Sequence, residues 1–206
     1  MTWTEIASSE ELLALVGAPI QRVREKVRPL LGQIHRDWLA ASPFCVVGTA
    51  DAAGNCDVSP KGDPPGDLVH VIDDHRIAIA ERPGNRRVDG YKNIVSNPHV
   101  GINFFIPGRG DTLRVNGGAR LLSDAPFFEE LTVRGQRPIL VLLVDIDEVF
   151  FHCAKAFLRS GLWEPQSWAP GVVPRRAVIA REHEDTGMTL EQLDEYYGEA
   201  YAKGLY

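Results

Sequence analysis

The sequence lacks the marks of several large classes of protein. No window approaches the roughly 18 uncharged apolar residues of a membrane span, and the N-terminus has no basic stretch leading into an apolar core and cleavage site. A soluble, cytoplasmic protein is expected, with no membrane partner. Cysteine is scarce: Cys45, Cys56 and Cys153 are odd in number, widely spaced and without a CxxC, which fits reduced thiols better than a disulfide framework. The six histidines show no HExxH or paired-ligand spacing, so no metal site is expected. GxGxxG and GxxxxGK[ST], the usual nucleotide signatures, are both absent. Basic residues are in deficit, 22 Lys and Arg against 28 Asp and Glu, and a net charge of -6 argues against nucleic acid, whose phosphates need clustered cations. There is no internal repeat and no low-complexity tract.

What is present is an ordinary globular composition, 44% hydrophobic and 24% charged, over 206 residues, enough for one core domain with helical ends. Ser8-x-x-Glu11 reads as a capping box opening an amphipathic helix that stops at Gly17. From Ile20 to Trp38, apolar residues recur at three- and four-residue steps, predicting a helix kinked or divided at Pro29. The pattern changes at Pro43. Strands are predicted at 44–49, 57–59, 68–72, 76–81, 100–106, 112–122 and 139–151, separated by turns with Gly, Pro, Asn or Asp, and short helices at 88–96 and 125–133. Many short strands with only short helices between them point to an antiparallel barrel or sandwich, mainly β with flanking helices, and away from a doubly wound parallel sheet. A loop rich in Pro and Trp after Trp163 leads to a second capping pattern, Thr189-x-x-Gln192, and a helix through Leu193, Tyr196, Tyr197 and Ala200.

Two stretches carry candidate chemistry. Ser59-Pro60-Lys61-Gly62 puts a proline at the end of a strand, where a central ladder position would resist it, so the strand is expected at an edge open to a ligand. Ala80-Glu81-Arg82-Pro83-Gly84-Asn85-Arg86-Arg87 places two arginines after a Pro-Gly turn, just before a helix. Helix-start N–H groups beside guanidinium groups suit a terminal phosphate, while the same spacing also fits a solvated turn in an acidic protein. The order is a strand carrying Lys61, a hairpin partner ending near Glu81, the arginine turn, a helix closing at Ser96-Asn97-Pro98, and a strand from Val100.

In that order the sequence resembles the pyridoxamine 5'-phosphate oxidase family, in particular its small bacterial FMN-binding members with a Ser-Pro-Lys-Gly-Asp stretch; the match covers about residues 43 to 163. The resemblance implies an antiparallel split β-barrel binding FMN over residues 42–163, with 1–41 as a helical extension and 164–206 as a C-terminal loop and helix. It gives Ser59, Pro60 and Lys61, with Ala80 and Glu81, to the flavin, and Arg86 and Arg87, helped by Asn85, to its phosphate. Thr112 corresponds to a polar residue near the isoalloxazine. It also implies a homodimer with the cofactor between chains, the second chain contributing from His152 to Trp163, where Lys155 and Arg159 sit four apart on one helix face. These two would meet the phosphate, the flavin's pyrimidine end or an anionic substrate, or form a solvated basic face. Trp163 closes that stretch.

The substrate-binding C-terminal segment of the vitamin-making oxidase, with its tryptophan and spaced Arg-x-His, has no counterpart after Trp163; Arg181-Glu182-His183 has the wrong order. The implied activity is an FMN-dependent oxidoreductase with a small-molecule substrate or electron donor. The alternatives are a flavin carrier or sensor without turnover, and a haem- or deazaflavin-binding relative on the same barrel.

Overall fold

The computed structural model describes residues 1–84, 86–203 and 205. Its strands are β1 (Phe44–Ala50), β2 (Cys56–Gly62), β3 (His70–Val71), β4 (Arg76–Ala80), β5 (His99–Phe105), β6 (Thr112–Leu122) and β7 (Val141–His152). They form one sheet in the order β2-β1-β5-β6-β7-β4-β3, every neighbouring pair antiparallel. The sheet curls without closing. This is the antiparallel split barrel, with flanking helices α1 (Ser9–Val16), α2 (Gln21–Arg24), α3 (Gln33–Ala41), α4 (Asp89–Ser96), α5 (Lys155–Ser160), α6 (Arg176–His183), α7 (Leu190–Tyr196) and α8 (Glu199–Lys203). Among the described residues, no helix is long and apolar enough to cross a membrane.

Alternation along the strands builds the core. In β1, Cys45, Val47 and Thr49 face inward, and Ile102 and Phe104 of β5, Leu113 and Val115 of β6, and Val144 and Val149 of β7 join them. β4 is buried on both faces: Ile77 and Ile79 enter the barrel, while Ala78 and Ala80 meet Phe128, Leu131 and Val141 in a second cluster. Between Asn116 and Gly117 the β6–β7 register shifts in a bulge. Position 117 needs glycine, because a Cβ there would lie 2.0 Å from the Asp145 carbonyl oxygen.

Several elements differ from the sequence reading. The helix predicted over 20–38 is not one kinked rod: α2 lasts four residues, and Arg28 then runs extended and pairs with Val149 in both directions (3.0 and 2.8 Å) before α3 begins. Pro29 disfavours helical backbone at Arg28, and β7 takes up the freed backbone groups. The helix predicted over 125–133 shrinks to a 3-10 turn at Glu129–Leu131, held by Arg137 bridging Asp124 (2.5 Å) and Glu129 (2.6 Å). The strand predicted over 68–72 is two residues long. Helix α6 was not anticipated; it packs Ala177 and Ala180 on Leu193 of α7, whose Thr189–Gln192 capping box forms as expected.

Candidate functional site

β2 is an edge strand, paired only with β1, and Pro60 lies within it opposite Val46. Its alternation sets Asp57, Ser59 and Lys61 on the inner face and leaves Cys56, Val58, Pro60 and Gly62 exposed. Glu81 is not on a hairpin partner of β2, as the sequence suggested. It follows β4, which pairs with β3 and β7 and comes back to β2 only through the curl of the sheet. The split between the two edges is bridged by side chains: Lys61 Nζ lies 2.5 Å from Glu81 Oε2, and Arg82 Nε donates to Asp63 Oδ2 at 2.8 Å.

Along this split runs a cleft of about 480 Å³, within the range of about 300–1,000 Å³ for small-molecule sites. Of the residues expected to form a site, Ser59, Pro60, Lys61, Ala80, Glu81 and Arg87 line it. Arg86 lines a neighbouring groove of about 370 Å³ on the far side of the Arg82–Gly84 turn, its backbone in the left-handed region (φ 60°). The two arginines thus line adjoining cavities that share the Glu81–Gly84 stretch. Asn85 lies outside the described residues. Thr112 is buried at the start of β6, opposite His152, away from the cleft lining. Lys155, Arg159 and Trp163 sit together on α5 and its exit, also outside that lining; Trp163 stacks on Phe157 and donates its Nε1–H to the Arg109 carbonyl at 2.7 Å.

Three residues not singled out from sequence support the site, Asp63 and Arg82 in the cleft wall and Tyr91 from behind it. Tyr91, one of the two buried residues of α4, donates its hydroxyl to Glu81 Oε2, so that one carboxylate oxygen accepts from both Tyr91 and Lys61. Lys61 Nζ also lies 4.7 Å from the Tyr91 ring centroid. Burial, reinforced by Glu81, pushes the Tyr91 hydroxyl well above its ordinary pKa. Asp63 and Arg82 form the most buried ion pair of the site, Arg82 donating further to the Leu131 carbonyl at 2.9 Å. Helix periodicity could have found Tyr91, three residues before Ile94; nothing local pairs Asp63 with Arg82, 19 residues away.

The donor set suits an anionic ligand. Arg87, 77% exposed, is paired with Asp89 at 2.5 Å, an exposed contact weak enough for a bound phosphate to exchange. Arg87 and then Lys92, by hydrogen bonds, hold the Asp89 carboxyl below its usual range. Val88 caps α4 with no side-chain bond, leaving backbone N–H groups at the helix start beside Arg87. The first turn lies tight on the hairpin, where a Cβ at Gly90 would come 3.0 Å from Asp57 Oδ2. Beneath Lys61, burial pushes the Cys45 thiol up to about 12. Native iodoacetamide labelling is therefore expected to modify Cys56 and Cys153 and spare Cys45, with Cys153 faster because the Lys155 backbone N–H favours its thiolate; mass mapping of the three sites checks this.

The family model described as pyridoxamine 5'-phosphate oxidase matches residues 31–153. No curated protein matches the chain. Among solved structures, HupZ of Group A Streptococcus is 22% identical over 59% of this chain and 93% of its own, with a TM-score of 0.47. A putative pyridoxamine 5'-phosphate oxidase from Lactobacillus delbrueckii is 22% identical over 60% of this chain and 95% of its own, with a TM-score of 0.47. A pyridoxamine 5'-phosphate oxidase-related, FMN-binding protein from Nostoc punctiforme is 16% identical over 56% and 76%, with a TM-score of 0.39. With a family match spanning well over half its length, on an open antiparallel barrel with a lined split, the chain belongs to the pyridoxamine 5'-phosphate oxidase family.

Proposed function

We propose that the cleft binds FMN and that the protein is an FMN-dependent oxidoreductase of the cytoplasm, working as a homodimer on a small-molecule substrate or electron donor. The observation that carries this reading is the union of Ser59, Lys61, Glu81 and Arg87 around one cleft in a chain of this family. The flavin supplies the electron transfer. Arg87 and the open amino end of α4 take the phosphate, the guanidinium giving up Asp89 for it, with Arg86 closing from the adjoining groove. Lys61 brings a positive charge that stabilises negative charge developing in the cleft, and Glu81 and Tyr91 fix where that charge sits.

A titration comparing FMN with riboflavin tests the phosphate assignment. Charge-assisted hydrogen bonds contribute about 1.5–3 kcal/mol, so FMN should bind about 10- to 100-fold more tightly than riboflavin. Equal affinities would remove the phosphate role of the arginines, and binding of neither would remove the proposal.

A further inference from the structure

Helix α1 is well made, yet the described residues of its own chain bury none of it. Ser8 caps it by accepting the Glu11 N–H at 3.1 Å, the Glu11 carboxylate accepts the Ala7 N–H at 2.9 Å, and Gly17 ends it with φ 81°. None of its residues is buried, and Leu12, Leu13, Leu15 and Val16 are all exposed, Leu15 at 73%. An eight-residue helix is marginal in water and takes its stability from packing, so this one needs a surface to lie on. Residues 1–16 contain three acids, Glu5, Glu10 and Glu11, and no base.

The complementary surface is α5 with its exit. Lys155 and Arg159 stand one turn apart, Leu158 is 75% exposed, Leu162 is exposed beside it, and Cys153–Trp163 contains no acid. The chain after α1 is pinned near this surface: Lys26 Nζ donates to the Phe151 carbonyl at 2.6 Å, and Arg28 pairs with Val149. Even so, both apolar faces stay uncovered within one chain.

We infer that α1 is an arm that docks on the basic, apolar face of α5 in a second copy of this chain. A symmetric pair makes the exchange twice, covering both faces of both copies, since residue i of one copy meets j of the other and the reverse. Leu12, Leu15 and Val16 lie against Leu158 and Leu162, and Glu11, which flanks that face beside Leu15, answers Lys155 and Arg159. The two cations thus gain a carboxylate partner, a role separate from the cofactor binding that the family resemblance implies.

The test uses full-length protein with Cys56→Ser and Cys153→Ser, leaving only the buried Cys45. A Leu15→Cys chain and a Leu158→Cys chain, both substitutions at exposed positions, are co-expressed with different tags and mildly oxidised. The expected result is a disulfide joining the two chains. Glu11→Lys should slow its formation about tenfold, and Lys155→Glu with Arg159→Glu in the other chain should restore it. Absence of the interchain disulfide overturns the inference. So does closure within one chain when both cysteines are placed on the same copy.

Discussion

Replacing Arg82 by methionine is expected to destabilise the protein by about 1.5–3 kcal/mol, the contribution of a charge-assisted hydrogen bond to a buried carboxylate. Asp63 is 2% exposed; it would keep its carboxylate while losing the Nε donor at 2.8 Å, and the Leu131 carbonyl would lose its Nη1 donor. The loss falls at the split, where no strand pairing joins β2 to β4 and the two edges are tied by side chains. Urea unfolding at neutral pH measures it. Removing both charges, as Arg82→Met with Asp63→Asn, should recover a large part of the stability, since the buried carboxylate charge goes too. A cost below about 1 kcal/mol, the range of exposed pairs, would show that the split is held by other interactions.

Changing Arg86 and Arg87 together to alanine is expected to weaken FMN binding by about 10- to 100-fold, removing most of the margin that charge-assisted hydrogen bonds of about 1.5–3 kcal/mol give FMN over riboflavin. The fold should survive, because Arg87 is exposed and its pair with Asp89 spans two residues on the surface. The single variants separate the two arginines. Arg87→Ala should carry most of the loss, since Arg87 lines the main cleft and Arg86 the adjoining groove. Affinity for riboflavin should barely change. Titration of each variant with both ligands, beside its unfolding curve, reads out all of this; a loss shared equally by FMN and riboflavin would mean that the arginines act on the shape of the cleft and not on the phosphate.

Much of the barrel was legible because its signals are local. The strands at 44–49 and 112–122 and the Thr189–Gln192 capping box are each marked within a few residues, and each element formed where the pattern put it. Pro60 marked an edge strand for a reason that holds in the structure, since β2 pairs on one side only. What failed depended on partners distant in sequence. Periodicity continued across Pro29, yet β7 captured Arg28 as a bridge. Apolar spacing over 125–133 resembled a helix, but Pro126 and the Arg137 ion pairs stabilise a tighter turn. At the site, Arg87 lines the cleft and Arg86, with its left-handed backbone, the adjoining groove. The Lys61–Glu81–Tyr91 cluster arises from the curl of the sheet, which brings edge strand β2 to the end of β4 and which no short pattern encodes.

The most direct test of the central claim is the absorption spectrum of the purified protein after incubation with FMN and removal of excess by gel filtration. Bands of oxidised flavin, co-eluting with protein at a fixed ratio and weakened in the Arg86→Ala, Arg87→Ala variant, are the predicted result. A folded protein that emerges without flavin, or one that carries a haem or deazaflavin spectrum instead, would contradict it.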